Sequence, residues 1–210
     1  MRSIHSKLSR LLELKDLQSV AKLHRKAFKD SALTKLGLEP IRRYYEWQLT
    51  GPHDCYAIGA FDEKDELLGF CFSGVFRGAL SGFLNKNRKF LVTWILTHPW
   101  LILNPLVTIR IKIALRIQKK VTTPSKPKIG EDKKSFGVLS IAVDPERQGL
   151  GIGRLLMDAV EAEAKKRGFQ QLHLTVHPTN IQAVTFYERC GWNKVFTEHE
   201  VWKGSMRKSL

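Results

Sequence analysis

The residues best placed to do chemistry lie in one short run. Asp144-Pro145-Glu146-Arg147-Gln148-Gly149-Leu150-Gly151-Ile152-Gly153-Arg154 follows an apolar stretch and leads into a long amphipathic one. Three glycines at every second position let a backbone turn sharply and come close to a ligand with no side chain in the way. The first N–H groups of a helix have no acceptor inside it and point outward together. With the helix dipole they make a site for a phosphate or a pyrophosphate, to which Arg154 and Arg147 can add charge. The spacing is neither the dinucleotide fingerprint nor a nucleotide loop ending in Gly-Lys-Ser/Thr, so alone it specifies an anion and no particular cofactor. A glycine-rich turn with no ligand is the plain alternative.

Downstream come His177-Pro178-Thr179-Asn180, Ala183, Phe186-Tyr187-Glu188-Arg189 and Cys190-Gly191-Trp192. Asn180 suits a helix N-cap and can also reach a ligand. Tyr187 is a phenol that can give up a proton, or else a helix aromatic packed on the core beside Phe186. No residue is placed by sequence to act as a base. His53, Glu66, Ser140 and His177 each read as surface or packing residues, and His173 as a structural histidine on a strand. Three cysteines, Cys55, Cys71 and Cys190, are too few for a disulfide framework and lack metal spacing, so no metal site is assigned.

The elements that must position these residues follow from periodicity. Leu17, Val20, Ala21, His24, Ala27 and Phe28 recur at three-to-four spacing and predict a first helix; a second covers Ile41 to Leu49, with Pro40 near its start. Cys55 to Phe61 and Leu67 to Val75, around the polar turn 62–65, predict an antiparallel hairpin. Phe136 to Val143 reads as a buried strand, Gly151 to Arg167 as a helix stopped by Gly168, Gln171 to Val176 as a strand and Asn180 to Cys190 as a helix. Trp192 to Trp202 reads as a closing pair of short strands. Paired strands followed by strand–helix–strand–helix imply an α/β fold with a mixed central sheet flanked by helices.

The chain has 210 residues and a net charge of +15, with 43% hydrophobic residues, enough for a core. One domain over 1–210 is expected. The charge is concentrated at 76–134, where thirteen cations face only Glu131 and Asp132, leaving +11. That segment also holds Phe90 to Ile109, twenty residues without a formal charge. Pro99 and Pro105 interrupt it, and a span there would put the early and late strands on opposite sides of a bilayer, so a crossing is rejected. Two readings stay open: these residues cover the protein's own core, or they lie in an interface with Arg110, Lys112, Arg116 and Lys119 on the wet side. Thr122 to Asp132 reads as a connector. The first stretch is broken by Lys7, Arg10, Glu13 and Lys15 and has no apolar signal core, so a cytoplasmic protein is expected, with peripheral contact at the membrane's inner face through 85–120.

The loop and the residues after it resemble the GNAT superfamily of N-acetyltransferases. Gln148, Gly151 and Gly153 match its [QR]xxGx[GA] signature, and Asn180, Ala183, Phe186-Tyr187-Glu188 and Gly191 match its ending, with Trp192 where Phe is more usual. The matching motifs run from Val138 to Val195. Residues 76 to 134 have no counterpart in the minimal fold and are taken as an insertion between the third and fourth strands.

The resemblance implies a site for acetyl-CoA as co-substrate. Backbone N–H groups of Gln148, Gly149, Leu150, Gly151, Ile152, Gly153 and Arg154 would hold the pyrophosphate. Two adjacent strands, ending near Val143 and Val176, would splay apart, and the pantetheine arm would pair with Ile141, Ala142 and Val143. Asn180 would bond that arm, and Tyr187 would act at the sulfur. The implied activity is transfer of an acetyl group to a primary amine of a small molecule, amino sugar or peptide, by direct attack in a ternary complex. The rival is a non-catalytic acyl-CoA-binding or membrane-recruited module. Nucleic-acid binding fits least, because the cations flank the apolar stretch and do not interleave with aromatics. Nothing in the sequence sets the oligomeric state.

Overall fold

The computed structural model describes residues 8–76, 78–109, 135–196 and 201–210. They fall into two compact units, one drawn from 12–53, 76 and 78–109 and the other from 8–11, 54–75, 135–196 and 201–210. The expected connector at 122–132 and the cations at 110–120 lie outside the described residues.

The first unit is helical: α1 (Leu17–Ala27), α2 (Ala32–Leu36), α3 (Leu38–Thr50), α4 (Ala79–Lys86) and α5 (Arg88–Thr97), then a 3-10 turn at Pro99–Leu103 and helix again over 105–109. α1 buries Leu17, Val20, Ala21 and His24, the stripe its spacing predicts, and packs on α3. The short α2 was not expected; Ser31 caps it, accepting from the Thr34 N–H at 3.0 Å. His24 Nδ1 meets the Tyr45 hydroxyl at 2.8 Å, with both residues buried, and its Nε2 lies 3.3 Å from Ser31 Oγ. On α5, the Trp94 indole N–H donates to the Leu36 carbonyl at 2.9 Å and Phe90 lies under the Arg43 guanidinium.

The second unit is built on a seven-stranded sheet in the order β1-β2-β3-β4-β5-β7-β6, with β1 (Leu8–Leu11), β2 (Asp54–Phe61), β3 (Leu67–Val75), β4 (Ser135–Val143), β5 (Gln171–Thr175), β6 (Asn193–Phe196) and β7 (Trp202–Ser209). Among the described residues only β4 and β5 run parallel, and the other pairs are antiparallel. The mixed sheet is therefore as expected, and the 76–134 segment joins its third and fourth strands. The β2–β3 hairpin closes where Asp62 Oδ1 accepts from the N–H groups of Lys64 and Glu66, a side-chain turn that lets Asp65 take a positive φ of 60°.

Helices α6 (Ile152–Lys166) and α7 (Ile181–Arg189) complete this unit. Leu156, Met157, Val160 and Ala164 of α6 and Val184 and Tyr187 of α7 join Phe136, Val138, Leu172, Leu174 and Met206 in one core. The sheet side of that contact depends on Gly69, where a Cβ would stand 2.8 Å from Ile152 Cγ2 and 3.1 Å from the Ala142 carbonyl oxygen. Two expectations need correction. β1 was not foreseen, and the last strand does not end at Trp202 but begins there, running to Ser209 with Gly204 and Met206 turned into the core.

Candidate functional site

β4 keeps its parallel partner for only part of its length. Ser135 to Val138 pair with Gln171 to Leu174, and there the pairing stops, although β4 continues to Val143 against β3. The break coincides with a bulge: Phe72 pairs with Ser140 and Ser73 with Val138, so Leu139 is the extra residue. A bulge bends and twists its strand, which turns β4 away from β5. Residues 139–143, including Ile141, Ala142 and Val143, thus carry a row of backbone groups on the side that β5 has left. Val176, beyond the end of β5, donates instead to the Gly204 carbonyl at 2.9 Å.

Past Val143 the loop is tied down before it turns. The Asp144 N–H donates to the Leu68 carbonyl at 2.8 Å, and its side chain accepts from the Glu146 N–H to cap the short turn Pro145–Arg147. Gly149 and Gly151 then take φ of 77° and 79°, the left-handed region open mainly to glycine. At both positions the place a Cβ would occupy is open space. Gly151 is the N-cap of α6 and supplies no side-chain acceptor, so the outward N–H groups of Ile152, Gly153 and Arg154 are left for something else. The helix buries its first residue, Ile152, and exposes Leu150 beside it. Gln148 is steadied by Gln182 of α7, whose amide nitrogen donates to Gln148 Oε1 at 2.9 Å.

Two residues of the run do something other than expected. Gly153 is helical, and its lack of a side chain serves packing: a Cβ there would come within 3.1 Å of the Phe186 ring. The Arg154 guanidinium turns along the helix to Asp158 at 2.8 Å and toward the Arg189 carbonyl at 3.4 Å.

On α7, Asn180 is the N-cap; its Oδ1 accepts from the Ala183 N–H at 3.1 Å, which leaves the amide nitrogen to reach any ligand. Tyr187 is 8% exposed, more deeply set than the half-buried Phe186, and packs on Trp192 with ring centroids 6.0 Å apart. Burial, helped by the neighbouring Cys71 and Cys190 thiols, pushes its phenol above the ordinary range. Cys71 is the register partner of Ile141, which places Tyr187 near the part of β4 that runs on past β5.

Of the residues weighed as bases, Glu66 is in the hairpin turn, Ser140 pairs with Phe72 on β4, and His177 bonds Thr179 at 2.8 Å on the surface. His53 belongs to the helical unit, stacked edge-on against Trp47. His173 lies on the exposed side of β5. Among the described residues no group of three or more His, Cys, Asp or Glu is gathered to hold a metal ion. Sequence reasoning missed the Leu139 bulge and the Gln182 brace; neither leaves a local signal, whereas Asp144-Pro145 is a readable cap. The open cradle and the strand end that β5 has left fit a long ligand that is anionic at one end and amide-rich along its arm, as coenzyme A is.

Comparison with known proteins bears on the family and the fold. Residues 17–192 match the model of the acetyltransferase (GNAT) family. A mycothiol acetyltransferase of Geodermatophilus obscurus is 44% identical over 64 residues, 30% of this chain and 20% of that protein. The ribosomal protein bS18 alanine N-acetyltransferase of Escherichia coli is 40% identical over 57 residues, 27% of this chain and 38% of its own length. The match thus spans well under half of either relative. Among solved structures, the PaiA N-acetyltransferase of Thermoplasma acidophilum in complex with coenzyme A superposes with a TM-score of 0.59 at 16% identity, covering 98% of this chain and 99% of that one. At that identity the likeness is one of fold.

Proposed function

The chain belongs to the acetyltransferase (GNAT) family, and from that premise we propose that it transfers the acetyl group of acetyl-CoA to a primary amine of a small molecule, amino sugar or peptide. The observation that carries this reading is the loss of β4–β5 pairing after Val138, directly before a glycine cradle at a helix N-terminus. Acetyl-CoA supplies an activated acyl group as a thioester. The N–H groups of 148–154 hold its pyrophosphate, with Gly149 and Gly151 keeping the approach clear. The backbone of Ile141, Ala142 and Val143 pairs with the pantetheine arm where β5 no longer competes, and Asn180 Nδ2 adds a bond to it.

The chain's own part in the reaction is to hold and to polarise. An amine adding to a thioester builds negative charge on oxygen and then on sulfur. A β4 N–H faces the first charge, and fixed donors of this kind commonly account for most of the rate gain together with juxtaposition. Tyr187 faces the second. A phenol held above its ordinary range stays protonated throughout the working pH, so it can donate a hydrogen bond to the sulfur as charge develops and pass its proton on as the C–S bond breaks, while the amine nitrogen gives up a proton in exchange. Residues 76–134 are then an insertion within a single acetyltransferase domain over 1–210.

The test is free-thiol release from acetyl-CoA across a panel of amines, amino sugars and peptides, with calorimetric titration of coenzyme A alongside. Amine-dependent thiol release establishes the transferase. Binding of coenzyme A with no release for any amine would leave a non-catalytic acyl-CoA-binding module, and no binding would remove the site.

A further inference from the structure

Helix α5 and the turn after it are held to the helical unit by one side only. Trp94 and Phe90 face inward, and Leu101 and Val107 are buried. On the other side, Val92, Leu96 (74% exposed), Trp100 (60%), Ile102, Leu103 (83%) and Leu106 stand in solvent. The two readings of this stretch therefore divide it: a few residues cover the core, and most do not. Single exposed apolar residues are ordinary, but six within fifteen positions make a patch, and patches of that kind mark interaction sites.

The charge around it selects the partner. Arg88 and Lys89 are exposed at the start of α5, and Lys89 lies three and seven residues before Val92 and Leu96, on the same helical face. From Leu67 to Gly130 the chain contains no Asp or Glu. Long cationic side chains at the end of an apolar stripe can reach headgroups while the stripe sits among acyl chains, and a tryptophan suits the boundary. No helix among the described residues is long and apolar enough to cross a membrane, so the contact is with a surface. A second copy of this strongly cationic chain would bring like charges together. Nucleic acid would want stacking aromatics, whereas the exposed side chains are mostly aliphatic.

We propose that this face, Lys86 to Leu106, docks the protein on an anionic lipid surface. It is independent of the coenzyme site, and its failure would leave that site untouched. The experiment is co-sedimentation of the full chain with vesicles of phosphatidylcholine alone or mixed with phosphatidylglycerol. Pelleting is expected with the mixed vesicles, weakening steeply as salt rises. Arg88→Gln with Lys89→Gln should weaken it about fivefold per cation. Leu96→Gln with Leu103→Gln should weaken it by at least about tenfold, with unchanged thermal unfolding and coenzyme A affinity showing that the variants fold. Equal pelleting with neutral and anionic vesicles, indifference to both pairs of substitutions, or a dimer dispersed by Leu96→Gln with Leu103→Gln in place of vesicle binding would each overturn the proposal.

Discussion

Gly149 and Gly151 divide the work of the loop in a way residue type alone does not show. Both are left-handed with open space where a side chain would start, so they keep the amide cradle accessible, whereas Gly153 makes room for Phe186. Replacing Gly151 by Glu should abolish coenzyme A binding in a calorimetric titration, because the new side chain is strained at that φ and brings a carboxylate to a phosphate site. Gly151→Ala isolates the strain, about 1–2 kcal/mol, and should bind weakly but measurably. Unchanged affinity in both would refute the loop assignment. At Tyr187, Phe should lower kcat by about 10²-fold or more while coenzyme A affinity holds. Because burial raises the phenol, the wild-type rate should show no alkaline limb from Tyr187 up to about pH 10; such a limb, absent in the Phe variant, would contradict the environment described. Much of this was legible in the residues: Asn180 caps as its type implies. The direction of the Arg154 side chain was half legible: Asp158 stands four residues on along the same helix, whereas only the fold brings the Arg189 carbonyl within reach.

The elements explain why the strand opens where it does. A one-residue bulge at Leu139 and a five-residue β5 leave the end of β4 without a parallel neighbour. Gly69 lets α6 sit close enough to hold that end in place. Gly69→Ala should cost about 1–3 kcal/mol and lower Tm by several degrees, since one of the atoms it meets is a backbone oxygen that cannot rotate away; an unshifted melt would mean the contact yields. In the helical unit, burial pushes His24 down to about 4. An unfolded chain protonates this histidine near 6.5 and the folded one does not, so stability is complete above pH 6.5 and falls as pH drops toward 4, by about 3 kcal/mol over the window. Urea unfolding at pH 7 and pH 5 should show that slope, and His24→Gln should flatten it. The long periodic elements were readable; β1, α2 and β7 were not. Leu8–Leu11 is too short to show a period, α2 is a single turn or so, and β7 reads Trp-Lys-Gly-Ser-Met-Arg-Lys-Ser, polar enough to pass for a tail until tertiary contacts bury Gly204 and Met206.

Taken whole, the molecule combines a sheet unit whose fold matches its family with a segment over 76–134 that carries most of the net charge. The motif residues fall in the 138–195 stretch, where sequence and structure agree most closely. The character of 76–109 could not be read from its composition, because the same apolar residues would serve a core or a surface, and only burial separates Leu101 and Val107 from Leu96 and Leu103. The central claim concerns the meeting of β4 with α6. A crystal structure of the full chain with coenzyme A tests it directly. The account predicts pyrophosphate oxygens at hydrogen-bond distance, about 2.7–3.2 Å, from N–H groups between Gln148 and Arg154, with the pantetheine arm along Ile141 to Val143. Coenzyme A bound elsewhere, or β4 paired with β5 to its end and the loop empty, would contradict it.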